Sequence, residues 1–183
     1  MQDAVYSSGT VTLNNCNIRY NFAQYGAGVY ATGALYVNDS IFIGNAANYN
    51  GGGIFATSTT EIINSTFTSN YAYDNGGAIY AISRTTIDSG TFNGNGARNK
   101  GGAICYDPSS ETFMDIYKST ISNNSAGYGG GIFNNGTLAL LYSQVMDNTA
   151  KYDGGGIFNT SRAAFNYYYI IVINNSPNNI ATE

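Results

Sequence analysis

Apolar positions along this chain come in short bursts that alternate with polar ones, and the bursts return at a fixed interval. Val11 and Leu13, Leu35 and Val37, Thr60 and Ile62, Thr85 and Ile87, Met114 and Ile116, and Leu138 and Leu140 each stand two residues apart. Period-two spacing puts each pair on one face of a strand. An apolar-x-x-Asn segment follows each pair: Ile18 to Asn21, Phe42 to Asn45, Phe67 to Asn70, Phe92 to Asn95, Ile121 to Asn124 and Val145 to Asn148. A Gly-Gly-(Gly/Ala)-Ile segment then opens the next unit at Gly51, Gly76, Gly101, Gly129 and Gly154, with a degenerate Gly26-Ala27-Gly28-Val29 before them. The steps from Gly26 onward are 25, 25, 25, 28 and 25 residues, a regularity that marks a repeat architecture.

About 25 residues cannot hold a helix pair with its turns, and the β-branched, aromatic and Gly/Asn signals are those of strands. The prediction is an all-β, single-stranded, right-handed parallel β-helix (a β-solenoid) of about seven rungs with three short strands each. Rungs start near Val5, Val29, Ile54, Ile79, Ile104, Ile132 and Ile157, and one domain spans residues 1–183. The Asn column (Asn21, Asn45, Asn70, Asn95, Asn124, Asn148, and Asn175 after a two-residue slip) is expected to stack as a structural amide ladder at a turn. Cys16, Ser40, Ser65, Gly90, Ser119 and Ser143 form a small-residue column suited to a tight corner. The glycines are read as corner residues, since no Lys-Ser or Lys-Thr pair follows them as a phosphate loop requires.

Rung five carries a three-residue insertion around Asp107-Pro108-Ser109-Ser110-Glu111, which should bulge out as a loop. After Asn174-Asn175-Ser176-Pro177 the repeat is expected to dissolve. Bare strand edges at both ends then predict either a piece of a longer array or end-to-end pairing into a fibre. Cys16 and Cys105 stand rungs apart at different repeat positions, too far for a disulfide, and are read as free thiols.

Composition narrows the function. Only 10% of residues are charged, with 11 acidic against 7 basic side chains scattered singly, so no basic stripe is present for nucleic acid. The polarity comes instead from Asn, Gly, Ser, Thr and Tyr, as in many extracellular chains. No apolar run is long enough to span a bilayer, and Met1-Gln2-Asp3 shows no secretory n-region, so a signal and anchor are expected outside this sequence. No motif implies a cofactor.

Two aromatic columns are candidates for a binding or assembly surface. Tyr6, Tyr30, Phe55, Tyr80, Phe133 and Phe158 follow the inward aliphatic residue of their strands and should point outward, with Cys105 in the same column. Tyr25, Tyr49, Tyr73, Tyr128 and Tyr152 precede the glycines. Such tyrosine ladders stabilise by stacking and present an amphipathic strip to sugars, a filament or a partner protein. N-glycosylation patterns occur at Asn38, Asn64, Asn123, Asn135, Asn159 and Asn174, with Asn135 favoured by its Gly-containing turn.

Catalysis ranks below these readings. The chain has no histidine. The register places Glu61 and Asp115 in one column, about 10 Å apart, with Asp88 between them and Arg84 on the same face, close to the spacing that inverting glycosidases use. A polysaccharide hydrolase or lyase is therefore the alternative. Calcium at Asp74 or Asp153 is weaker still, and no metal site is assigned.

The alternation of Gly-Gly-Ala-Ile (Gly76 to Ile79, Gly101 to Ile104) with Phe-x-x-Asn (Phe42 to Asn45, Phe67 to Asn70, Phe92 to Asn95) resembles the repeats of chlamydial polymorphic outer membrane proteins and of adhesin-like surface proteins. That resemblance implies a right-handed β-helix displayed at the cell surface as an extracellular, non-enzymatic adhesion or structural module. Its expected partners are further copies of itself, surface glycans, or host and neighbour cell-surface proteins.

Overall fold

The computed structural model describes residues 4–183, so the reading of Met1-Gln2-Asp3 falls outside the described residues. The chain winds into an all-β parallel solenoid of about seven turns, and every ladder joins equivalent positions of successive rungs. The first sheet has eight strands, from Val5–Ser7 through Ile54–Ala56 and Ile104–Tyr106 to Ile180–Thr182. The second runs from Val11–Asn14 to Ala164–Tyr168 and the third from Asn17–Arg19 to Ile171–Ile173, with seven strands each. These are the three expected strands of each rung. A fourth sheet of six strands, many only two residues long, follows the Asn column from Phe22–Ala23 to Thr149–Asp153. Among the described residues no helix is long and apolar enough to cross a membrane.

Corners are made by left-handed residues, which recur rung after rung. One column joins the second and third sheets at Asn15, Asp39, Asn64, Ser89, Lys118, Tyr142 and Tyr169, with φ between 44° and 56°. Another precedes each ladder Asn at Tyr20, Gly44, Ser69, Gly94, Asn123, Asp147 and Asn174. A third is the leading glycine of each Gly-Gly pair. At Gly51 φ is +69° and a Cβ would lie 2.3 Å from the Ile54 carbonyl oxygen, so no side chain fits.

Inside, Val29, Ile54, Ile79, Ile104, Ile132 and Ile157 stack from the first sheet against the period-two pairs of the second. Phe42, Phe67 and Phe92 fill the third-sheet side, with centroids 4.7 and 4.9 Å apart and nearly parallel rings. That separation is the spacing of paired strands, so ring stacking and the backbone ladder satisfy one geometry.

The Asn column is a continuous hydrogen-bonded ladder. From Asn21 to Asn148, each Nδ2 donates to the Oδ1 of the next rung's Asn at 2.8–3.0 Å, and each backbone N–H donates to the same oxygen at 2.8–3.1 Å. From Asn45 onward, Nδ2 also donates to a carbonyl of the preceding rung, such as Phe42 for Asn70. The amides are therefore buried yet satisfied. The small-residue column does more than fit a corner. Ser40, Ser65, Ser119 and Ser143 each accept a backbone N–H from the rung before and donate to the carbonyl two residues back.

Two expectations are corrected. The repeat does not dissolve after Asn174-Asn175-Ser176-Pro177. Asn175 extends the ladder, Asn179 Oδ1 accepts both its backbone N–H and its Nδ2, and Ile180–Thr182 pairs with Ile157–Asn159. No Gly pair announces this strand, because the corner before it is closed by Asn179 instead.

The insertion in rung five is also larger than the period implies. Tyr106 and Met114 pair with Ala81 and Thr85, so this connection is four residues longer than its counterpart; the segment from Asn124 to Gly129 is one residue shorter than that from Asn95 to Gly101. Nor does the loop simply bulge outward. Pro108 is buried, and Tyr106, which replaces the Ala31-Ala56-Ala81 column, is fully buried with its hydroxyl 2.7 Å from Thr112 Oγ1. The longer connection supplies the room and the polar partner that an inward tyrosine needs.

Candidate functional site

The outward column of the first sheet changes character along the rod. Tyr6 is 63% exposed, Tyr30, Phe55 and Tyr80 are half-buried, and Cys105, Phe133 and Phe158 are buried. The column points away from the main core, as expected, forming an apolar cluster of its own. Its expected exposure fails at Phe133 and Phe158. Tyr128 packs edge-on against Phe158 at 5.1 Å, the Lys100 ammonium stands 4.7 Å from the Phe133 centroid, and Ala181 of the eighth strand lies alongside.

Along the amino-terminal half the rings make an unbroken series: Tyr6 to Tyr30 at 5.4 Å, Tyr30 to Phe55 at 5.0 Å and Phe55 to Tyr80 at 5.2 Å. Burial first, then Cys105 and Asp107, pushes the Tyr80 phenol well above its ordinary range. Burial likewise raises the Cys105 thiol, keeping it neutral. Both cysteines are free.

The column before the glycines is not continuous. Tyr25 stacks on Tyr49 at 5.0 Å and Tyr128 lies 5.0 Å from Tyr152, but Tyr73 turns edge-on to Tyr71 instead. Asp74 takes the register place beside Tyr49, its N–H donating to the Tyr49 carbonyl, which moves Tyr73 out of line. One rung further on, Arg98-Asn99-Lys100 carry no ring at all. Cys105 interrupts the first column in the same region, so both aromatic columns break together.

A groove of about 360 Å³ opens at this break, lined by Asp74, Asn75, Asn99, Lys100, Tyr128 and Tyr152. Lys100 and Tyr128 also border a second hollow that reaches Asn135 and Thr160. Asn75 begins a short second amide ladder by donating to Asn50 Oδ1, and the residue opposite it in the next rung is Lys100. Lys100 offers that ladder no amide, and Asn75 Oδ1 is buried without a hydrogen-bond partner. Sequence reasoning missed Lys100 and Asn75. The available signal was the simultaneous loss of both aromatic columns in one rung.

The glycosylation patterns separate by environment. Asn64, Asn123 and Asn174 are exposed corner residues, and Asn38 is half-buried with its amide donating to Asn14. Asn159 is buried and accepts from Asn134 Nδ2 at 2.9 Å, which leaves no room for a glycan. The favoured Asn135 is also engaged. Its Oδ1 accepts from Thr160 and Arg162 while its Nδ2 donates to Asp107, to which Arg162 also pairs at 3.9 Å.

The carboxylates do not converge. Glu61 and Asp115 share a column with Thr86 between them, and Asp88 stands in the adjacent column between Ile63 and Tyr117. Arg84 stacks on Phe113 at 4.5 Å, and Asp88 accepts a hydrogen bond from its neighbour Ser89. Burial raises Asp115 above the usual carboxylate range, partly opposed by Arg84. Asp74 and Asp153 each accept an amide, from Asn99 and Asn178. Among the described residues no group of three or more His, Cys, Asp or Glu could hold a metal ion.

The model of the Chlamydia polymorphic membrane protein repeat matches residues 39–57, 64–82 and 89–107. Each match begins on a left-handed corner residue, Asp39, Asn64 or Ser89, runs through the ladder Asn and the glycine corner, and ends just past the first sheet. The second sheet lies outside all three matches, so the recognised unit is the part of the rung that holds the ladder and the corners. No curated protein and no solved structure matches the chain at a significant level. In three consecutive rungs of the solenoid, the chain is similar to the Chlamydia polymorphic membrane protein repeat.

Proposed function

We propose that this chain is a non-enzymatic adhesive module of a cell-surface protein, a stiff rod that presents the exposed tyrosines ahead of its glycine corners to glycans or proteins on another surface. The observation that carries the reading is the repeat in three consecutive rungs, which suggests a surface-associated, adhesin-like protein at the cell surface or outer membrane. The rod supports it physically. Rungs pair only with their neighbours, so the outward columns can vary without disturbing the ladders that hold the stack. Tyr49, Tyr73 and Tyr152 are about half exposed, enough to contribute contact area on binding.

The test is to couple the purified chain to beads and count their attachment to cultured cells, beside a Tyr49→Ser/Tyr73→Ser/Tyr152→Ser variant of unchanged melting temperature. Attachment that drops in the variant is the expected result. Beads that never attach above an uncoupled control would overturn the reading.

A second reading, end-to-end assembly, is favoured by one observation: among the described residues Val5–Ser7 and Ile180–Thr182 each pair on one side only. Such an edge accepts a further rung from any source. The Asn ladder is less open, because Asn179 already fills the acceptor position beyond Asn175. Negative-stain microscopy across a concentration series, beside light scattering, decides this: fibres of uniform width sustain assembly, and monomers throughout remove it.

A further inference from the structure

We propose that the groove at the break in the aromatic columns is a saccharide subsite that takes one neutral pyranose unit. This deepens the adhesive reading and rests on it for the biological role, but the binding chemistry stands on the groove alone.

Sugar rings present an apolar C–H face and a rim of hydroxyls, so a site for them needs an aromatic platform with hydrogen-bonding groups at its edge. The tilted pair Tyr128 and Tyr152, with centroids 5.0 Å apart and 37% and 56% exposed, supplies the platform. Asp74, Asn99 and Lys100 supply the edge. Asn99 Nδ2 already donates to Asp74 Oδ1, which orients that carboxylate and leaves Oδ2 to accept from a ligand hydroxyl. Lys100, resting over Phe133, is a donor on a flexible stem that can swing to a ring or hydroxyl oxygen.

Asn75 sharpens the assignment. A buried amide oxygen with no partner is costly, and such groups in folded chains call for an explanation. Every buried amide of the main ladder is satisfied, whereas this one, on a residue that lines the groove, is not. A ligand hydroxyl that reached it would supply the missing donor. The unmatched groups at the edge thus include a carboxylate oxygen and an amide oxygen, which want hydroxyl donors, against one ammonium. That balance favours a neutral sugar over an anionic one, as does the net charge of −4.

The experiment is calorimetric titration of the purified chain with cellotriose, chitotriose and a β-linked galactotriose, with trigalacturonate as the anionic comparison. Saturable binding of at least one neutral trisaccharide is expected. Tyr152→Ala and Asp74→Ala should each weaken it about tenfold, the loss of one stacking or charge-assisted contact. Tyr152→Phe should keep it because the ring remains, and Tyr167→Ala, on the second sheet, should leave it unchanged. Thermal melts establish that each variant is folded.

No binding of any neutral trisaccharide, binding of trigalacturonate alone, or binding indifferent to Tyr152 and Asp74 overturns the proposal. Bead attachment to cells before and after periodate oxidation of their glycans separates the two readings. Attachment that survives both periodate and Asp74→Ala keeps the adhesive reading and removes the groove from it. Trisaccharide binding by a chain whose beads never attach keeps the groove and removes adhesion.

Discussion

Rungs two to four and rungs five to seven enclose the same cross-section with different side chains. In the first group the third sheet contributes a phenylalanine to each rung, while the first and second sheets contribute Ala31 and Leu35 in rung two and the smaller pairs Ala56 and Thr60, or Ala81 and Thr85, in rungs three and four. In the second group the third sheet falls back to Ile121, Val145 and Val172. The bulk returns from the other two sides through Tyr106, Met114, Leu138 and Phe165. Cores tolerate exchanges that keep total volume, and here the exchange is made across the axis of the rod. The Asn ladder runs through both halves unchanged. Positions fixed by hydrogen-bond geometry or a left-handed corner repeat strictly, while positions fixed only by volume drift together.

The largest effect should come from the ladder, and it should not distinguish the halves. Asn70→Ala removes the acceptor shared by the Asn45 side-chain amide and backbone N–H, and takes the side-chain donor away from the Phe42 carbonyl and from Asn95 Oδ1, which keeps only the backbone N–H of residue 70, so a loss of about 4 kcal/mol is expected. Asn148→Ala should cost a similar amount, read from urea unfolding; a much cheaper loss in either half would show that the ladder is not shared equally.

Next come the volume positions, where the halves should differ in place but not in size. Phe67→Ala in the first half and Tyr106→Ala in the second should each cost about 3–5 kcal/mol, with Tyr106→Phe nearer 1 kcal/mol because only the Thr112 hydrogen bond is lost. A negligible cost at Tyr106 would mean that the long connection, and not the ring, fills rung five.

A smaller effect tests that coupling directly. A Cβ on Gly136 would lie 2.5 Å from Pro108 Cγ and 2.7 Å from Tyr106 Cε1, so Gly136→Ala should cost about 1–3 kcal/mol. The penalty should shrink in a Tyr106→Ala background by at least about 0.5 kcal/mol. Simple additivity in the double-mutant cycle would uncouple ring and loop.

The smallest effect concerns pH. Burial raises Asp115 in the folded chain, so the folded state holds this proton more tightly than the unfolded one. Its contribution is therefore most favourable at low pH and falls as pH rises through the raised folded value. Asp115→Asn should melt slightly higher than the parent at pH 7. The gap should close on acidification toward the ordinary carboxylate range, and a gap that widened on acidification would reverse the sign of the shift.

Much of the fold was legible because a solenoid writes its geometry one rung at a time. Gly-Gly-x-Ile, Phe-x-x-Asn and the period-two pairs recur because each rung must turn the same corners and meet its copy in register, and a one-dimensional period reports that directly. The fourth sheet gave no comparable signal, since two residues such as Ala46–Ala47 are too few to show alternation. The candidate site was legible only in outline. The outward direction of Tyr30 and Phe55 follows from the parity of their strands, but the burial of Phe133 and Phe158 depends on Lys100, Tyr128 and Ala181 arriving from other rungs. The engagement of Asn135 by Arg162 and Asp107, and the unmatched oxygen of Asn75, likewise arise between side chains that no local pattern relates. The sequence by itself determined the repeat, the ladders and the facing of each strand, because these are set within a rung. Only the tertiary structure decided which outward groups are covered, paired or left wanting a partner, because that is settled between rungs by the volume and reach of particular neighbours.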